Sequence, residues 1–315
     1  MTADGSPLYV SSPNGYLDLE KKNSRIGIID IGSNTIRMVI YDAPARLPIP
    51  IFNERVVCRL GKGIGKTGRL NHQGKGLAFE ALDRFCGLAR EMSVEHFRIV
   101  ATAAVRDSED GTEFAGEIEE RFGYVVNILS GDEEARLGAT GILGGLPDAD
   151  GLFGDMGGGS LDLMLLNLGR FGQSSTLPLG HLRITEAAEG SFEIAQRLIE
   201  AQLAKADWLS QVEGRNFYAV GGVWRAIARI YIQQNNYPLH IIDNLTVDVK
   251  AVRHLTQVIS HLSSKSLQGM SGVASRRADT LPFAALVMNR LLKVARPKQL
   301  IFSGYGLREG QFFDL

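Results

Sequence analysis

One short pattern occurs twice in this chain, 125 residues apart, and it limits the fold more than any other feature of the sequence. The first copy is Asp30-Ile31-Gly32-Ser33-Asn34-Thr35 and the second is Asp155-Met156-Gly157-Gly158-Gly159-Ser160. Each follows an apolar run and precedes another, so each reads as strand, tight turn, strand. A turn of Gly, Ser and Thr aims successive backbone N–H groups and hydroxyls into one concavity, which is a nest for phosphate oxygens. An aspartate at the strand end can hold a divalent cation and so offset phosphate charge. A single such loop reads as an ordinary hairpin turn with Asp and Gly in turn roles. Two matched loops, one opening each half of the chain, predict paired phosphate sites on two related α/β units.

The segments between the loops alternate as that division requires. RIGIID (25–30), TIRMVIY (35–41) and RVVCRLG (55–61) read as strands, and residues 77–92 place apolar side chains at helical spacing. FRIVATAAV (97–105) reads as strand, 107–121 as helix, 125–130 as strand and 131–143 as helix. After the turn-rich GGLPDADG (144–151) the strand–loop–strand pattern returns. It is followed by helices near 190–209, 223–234, 248–262 and 279–295, with strands at 217–221 and 299–304. The expected organisation is a flexible extension over 1–24, a first domain over 25–143 and a second over 144–305. A C-terminal helix over 306–315 is expected to pack back on the first domain.

Composition narrows the function classes. The chain carries 34 Lys+Arg against 35 Asp+Glu, a net charge of −1, which argues against a general nucleic-acid or membrane-surface binder. No apolar run reaches the roughly 18 residues of a membrane span. The N-terminus has no continuous apolar core of the secretory type. Cys58 and Cys86 form no CxxC pair and read as free thiols of a cytoplasmic protein. Glycine is high, 36 of 315 residues against about 7 % in ordinary chains. Much of the surplus falls in 61–76 and 144–169, where the backbone must turn sharply or approach a ligand.

The segment 61–76 matches a nucleotide fingerprint only formally. Gly65-Lys66-Thr67 lacks the upstream glycine of a P-loop, since that position is Leu60. Gly63-x-Gly65-x-x-Gly68 opens no helical pattern, because 69–76 reads as a polar loop. What remains is a glycine-rich loop bearing Lys62, Lys66, Arg69 and Lys75, which is either a solvated surface loop or a grip on a polyanion.

Ser130-Gly131-Asp132-Glu133-Glu134 begins a helix. Ser130 and Glu133 have capping-box spacing, and Asp132 complements the helix dipole and can pair with Arg136. Glu134 is left without a structural task and suits a general base that takes a proton from water. Arg106, at the end of its expected strand, is either a phosphate clamp or a surface partner of Asp107 or Glu109. The six histidines show no HxxH or HxxxH pair, so a zinc site is not expected.

Seven stretches then resemble the exopolyphosphatase / guanosine pentaphosphate phosphohydrolase family of the actin-like ATPase and sugar-kinase superfamily. They are DIGSNTIRMVI (30–40), ATAAVRD (101–107), LSGDEEARLGATG (129–141), GDMGGGSLDL (154–163), LPLGHLRITE (177–186), AVGGVWRAIA (219–228) and SGYGLREG (303–310). The resemblance implies two ribonuclease H-like domains with the active site in the cleft between them. It implies Glu134 as catalytic glutamate, Asp155 as the aspartate associated with Mg²⁺, and Arg106 as a phosphate-binding arginine. Gly32, Ser33, Asn34 and Thr35 fit the family's first phosphate loop. Longer relatives continue into a helical region resembling HD-type hydrolases, and the absence of that region here argues against processive digestion of long chains.

The function expected from these residues is Mg²⁺- or Mn²⁺-dependent hydrolysis of the terminal phosphoanhydride of inorganic polyphosphate, with guanosine pentaphosphate as a further substrate. Glu134, Asp155 and Arg106 form the expected catalytic set, and Asp155 and Asp30 the metal set. Gly32, Ser33, Asn34, Thr35, Gly157, Gly158, Gly159, Ser160, Lys62 and Lys66 are expected on the phosphates. No nucleic-acid or membrane partner is expected, and the resemblance implies a cytoplasmic homodimer. The alternative is an ATP-dependent kinase or nucleotide-binding module of the same superfamily, with AVGGVWRA (219–226) as its nucleotide loop.

Overall fold

A computed structural model describes residues 25–42, 48–270 and 272–315; the extension expected over 1–24 lies outside these. β1 (Arg25–Ile31), β2 (Thr35–Asp42) and β3 (Ile49–Val57) form an antiparallel meander, and α1 (Ile64–Thr67) and α2 (His72–Glu91) lead to β4 (Val94–Ala101). α3 (Ala103–Arg106), α4 (Gly111–Phe122), β5 (Val126–Ile128) and α5 (Gly131–Gly145) follow. The strand order is β3-β2-β1-β4-β5, with β4 parallel to β1 and β5 parallel to β4. Parallel neighbours need crossover connections, and the helices between these strands supply them.

The second sheet repeats the plan. β6 (Gly151–Met156), β7 (Leu161–Asn167) and β8 (Arg170–Leu177) are its meander, followed by α6 (His181–Ala187), α7 (Phe192–Leu203), β9 (Asn216–Val220) and α8 (Trp224–Gln234). β10 (Leu245–Asp248), α9 (Val249–Ser260), α10 (Ser264–Gln268), α11 (Leu281–Ala295), β11 (Gln299–Phe302) and α12 (Leu307–Phe313) complete it. The order is β10-β11-β9-β6-β7-β8. From the meander inward both sheets run third, second, first, then two parallel strands, and β10 is an added antiparallel edge.

Two helices tie the halves together. The apolar side of α5 (Ala135, Ala139, Ile142) packs with Phe153, Met164 and Tyr218 of the second sheet. Phe312 of α12 packs instead with Ile26, Ile28, Val39 and Tyr41 of the first. The two helices cross in close contact, because a Cβ on Gly310 would overlap the Leu137 carbonyl and one on Gly141 would overlap Gly306. α5 is thereby fixed to both sheets.

Several local expectations are revised. The strand expected to reach Val105 ends at Ala101, and Arg106 lies on the one-turn helix α3. Ala103 and Ala104 favour a helical turn once the ladder to β1 stops. β3 spans 49–57 rather than 55–61, and it tolerates Pro50 because it is an edge strand with a register shift opposite Ile40 and Tyr41. Residues 72–76, read as polar loop, are the first turn of α2. Asn71 caps it by accepting from the Gly74 N–H at 2.9 Å.

Candidate active site

The two glycine loops have the same backbone turn and lie against each other. The Gly32 N–H donates to the Thr35 carbonyl at 3.0 Å, and the Gly157 N–H to the Ser160 carbonyl at 3.1 Å. A Cβ on Gly159 would stand 2.7 Å from Ser33 Oγ and 2.9 Å from Ala103 Cβ, closer than packed atoms allow. That contact requires glycine at 159. Gly32, Ser33, Asn34, Thr35, Gly157, Gly158, Gly159 and Ser160 all line one cleft of about 170 Å³ between the halves.

Four carboxylates enter the same cleft: Asp30, Glu134, Asp155 and Asp162. The register of the two hairpins explains three of them. Arg37 stands directly opposite Asp30 across β1 and β2, and Asp162 directly opposite Asp155 across β6 and β7. Directly opposed residues project to one face of a sheet. Asp162 is buried and accepts from Ser160 Oγ at 2.9 Å and Thr176 Oγ1 at 2.8 Å. Burial pushes its carboxyl up to about 7 despite those hydrogen bonds. Burial likewise raises Asp155 to about 6, opposed by the charges of Arg225 and Arg308.

Glu134 is delivered by the start of α5. The capping box is formed: Ser130 Oγ accepts from the Glu133 N–H at 3.2 Å, and Glu133 Oε2 accepts from the Ser130 N–H at 2.8 Å. That pair fixes the first turn and turns Glu134 inward, where Arg106 Nη1 donates to its Oε2 at 2.8 Å. Burial holds the Glu134 carboxyl well above the usual carboxylate range and the Asp162 charge pushes it further, while Arg106 pulls it back. Asp132 bonds Ser174 rather than Arg136, which instead lies 3.8 Å from Asp314.

Asp162 offers a test of this electrostatic account. Its folded pKa lies above the ordinary carboxylate value, so its protonated form is the one the fold favours. The stability it contributes is present below about pH 4 and is lost as pH rises toward 7. Asp162→Asn removes that loss. Its melting temperature should exceed that of the parent by several degrees at pH 8, with the difference vanishing near pH 4. A melt series across pH checks this.

The expected lysines are placed elsewhere. Lys66 lines a neighbouring depression with Leu182 and Arg183 and lies 3.9 Å from Glu189, and neither Lys62 nor Lys66 lines the cleft. Arg69 and Lys75 pair with Asp110, Glu113 and Glu117. The cations on the cleft wall are arginines that sequence reasoning did not single out. Arg37, Arg55, Arg225, Arg277 and Arg308 line it and continue, with Arg229, into an adjoining chamber of about 700 Å³ whose one carboxylate among the described residues is Glu309. Arg308 Nη1 donates to Asp30 Oδ2 at 2.8 Å, and its buried Nε has no partner among the described residues. Burial and the charges of Arg308 and Arg225 push Arg37 down to about 10. His181, also on the wall, is pushed down to about 4 by burial and by Arg277, so it stays neutral.

Hairpin register could have found Arg37 and Asp162, since each stands seven residues beyond its strand-end aspartate. Arg225 and Arg308 sit inside AVGGVWRA and SGYGLREG, stretches whose convergence on one cleft is not visible in one dimension. Arg106 is at the site but does not line the cleft; it stands behind Glu134.

Among the described residues no trio of His, Cys, Asp and Glu converges as a ready-made metal cage. Magnesium is usually held by one or two carboxylates together with water and substrate phosphate oxygens. Asp155 fits that need: it is a hard oxygen donor on the cleft wall that accepts no hydrogen bond from the described residues. Asp30 has one oxygen on Arg308 and the other available.

Against this geometry the comparisons are informative. Residues 39–315 match the model of the Ppx/GppA phosphatase family. The chain belongs to that family. Curated relatives include Exopolyphosphatase 1 of Mycobacterium tuberculosis, 24 % identical over 298 residues, covering 91 % of this chain and 86 % of that one. Exopolyphosphatase 2 of the same organism is 25 % identical over 310 residues, covering 91 % and 97 %. Among solved structures, an exopolyphosphatase from Cytophaga hutchinsonii has a TM-score of 0.83 at 22 % identity, over 92 % of this chain and 97 % of that one. The Aquifex aeolicus Ppx/GppA family member has a TM-score of 0.77 at 24 % identity, over 92 % and 97 %. Two α/β halves built on one strand plan, with the cleft between them, are the fold of this Ppx/GppA chain.

Proposed function

We propose that this family member is an exopolyphosphatase that hydrolyses the terminal phosphoanhydride of inorganic polyphosphate and releases orthophosphate, with guanosine pentaphosphate as a further substrate. The observation that carries the reading is Glu134, held by Arg106 at 2.8 Å, on a cleft shared by two phosphate nests and an arginine wall. The names of the curated relatives point the same way.

In this reading the N–H groups of the two loops hold the terminal and penultimate phosphates, and Arg37, Arg225, Arg277 and Arg308 neutralise the chain behind them. Glu134 takes a proton from a water in line with the scissile bond. The water oxygen bonds to the terminal phosphorus, and the bridging P–O bond breaks with its electrons on the shortened chain. The raised carboxyl of Glu134 makes it a stronger base once ionised, and the Arg106 charge favours the ionised form against burial. A Mg²⁺ or Mn²⁺ ion held at Asp155 and Asp30 would neutralise charge on the phosphate oxygens. The arginine chamber takes over the role first expected of Lys62 and Lys66. A repeating anion fits it better than a nucleotide, because its lining offers charge and little apolar surface for a base.

We further propose a cytoplasmic homodimer, supported by the family resemblance and by Cys58 and Cys86, both free and buried. Among the described residues no helix is long and apolar enough to cross a membrane. Incubation with Mg²⁺ and polyphosphate of defined length should release phosphate and leave stepwise shortened chains. Phosphate transfer from ATP to an acceptor, with polyphosphate left intact, would establish the kinase alternative instead.

A further inference from the structure

Arg106 is held from several directions. Its Nη1 donates to Glu134 Oε2 at 2.8 Å and to the Leu129 carbonyl at 3.1 Å, while its Nε donates to Asp107 Oδ1 at 3.2 Å. The other oxygen of Asp107 accepts from Arg183 Nη2 at 2.7 Å. Arg183 belongs to α6 of the second half, and its own N–H donates to the Gly158 carbonyl of the second phosphate loop at 3.2 Å. A continuous polar path thus runs from the second phosphate loop, across the gap between halves, to Glu134.

Its neighbour on α6 makes the same crossing. The Glu186 carboxylate accepts from the Gly63 N–H at 3.2 Å, and residues three apart share a helix face. We propose that Arg183 and Asp107 are a positioning pair, one from each half, which holds the Arg106 guanidinium and through it Glu134 in the attacking geometry only when the halves are together. The inference rests on Glu134 being the base.

Three features support it. A guanidinium is a rigid planar fork, so fixing its Nε edge fixes the direction of Nη1. The Asp107 carboxylate uses one oxygen for each arginine, so it couples the two side chains instead of merely screening them. The pair also has little to do with stability: both side chains are about 30 % exposed, and ion pairs of that kind contribute little to folding. Its consequence is a catalytic glutamate whose alignment depends on closure around the phosphate loops.

The test uses the full chain with Mg²⁺ and polyphosphate, reading kcat, KM and melting temperature. Asp107→Asn and Arg183→Gln should each lower kcat about tenfold, the scale of lost outer-shell orientation, with KM within about twofold. The double variant should lose no more than the worse single one, since one path is broken once. Arg183→Lys should recover part of the loss. Unchanged kcat in either single variant, a loss confined to KM, or losses that multiply in the double variant would overturn the pair. Because Arg183 is partly exposed, its two variants keep the test valid if Asp107→Asn melts early. Glu134→Gln in the same assay separates the two ideas. If it keeps turnover, the base assignment fails and the pair with it. If it is inactive while Asp107→Asn is fully active, the pair alone fails.

Discussion

Glu134→Gln should lower kcat for phosphate release about a thousandfold, within the range that general-base catalysis supplies, while KM and melting temperature stay close to those of the parent. The side chain keeps its shape, and its amide oxygen can still accept from Arg106 Nη1, which now donates at 2.8 Å. What disappears is the basic electron pair that receives the proton from water. The fold is not endangered, because a carboxyl raised by burial and by the Asp162 charge is most stable protonated, and glutamine imitates that form. The same argument sets the pH dependence of the parent. Since Glu134 must be ionised to act, kcat should climb with pH through a midpoint above the usual ~4.3 of glutamate, and the variant's residual rate should lack that limb. Undiminished turnover in Glu134→Gln, with a normal melt, would remove Glu134 from the chemistry.

Arg225→Met should raise KM for polyphosphate by about 10- to 100-fold, the equivalent of one charged hydrogen bond of roughly 1.5–3 kcal/mol. Unusually for a buried residue, its removal should cost no stability. The Arg225 guanidinium is depressed by burial and by the Arg308 charge, which Asp155 and Glu309 offset only in part, and the one hydrogen bond it donates among the described residues, to the Ser303 carbonyl, is long at 3.4 Å. A buried charge without good compensation is expensive, and an apolar side chain of similar length relieves that expense. The melting temperature should therefore hold or rise while binding collapses. A KM equal to that of the parent would show that the chamber does not carry substrate. A sharp drop in melting temperature would show that Arg225 is structural.

Much of the fold could be read from the chain because it depends on short-range patterns. The repeated strand–turn–strand, the helical spacing of 77–92 and the Ser130–Glu133 cap each lie within a few turns of backbone, and each has its counterpart in the structure. The errors came where a neighbour overrules local preference. Val105 and Arg106 left the β4 ladder for a helical turn. Gly74 and Gly76 joined a helix because Asn71 caps it and because Gly74 packs on the Cys58 carbonyl, where a Cβ would approach to 2.7 Å. Lys62 and Lys66 had charge and glycine around them, but glycine only permits a turn and does not say which way the turn faces.

The sequence by itself determined the two glycine turns and the separation of Glu134 from its helix cap. All of these follow from residue type and spacing along one strand pair or one helical turn. Only the tertiary structure decided which cations line the cleft. Arg37, Arg225, Arg277 and Arg308 come from four distant segments and share a wall only after α5 and α12 cross and the sheets close on each other. It also decided what Arg106 does. Its nearest acid in sequence is Asp107, yet its shortest hydrogen bond is to Glu134, 28 residues away. Charge recognition depends on distance in space and on burial, and neither is a property of position along the chain.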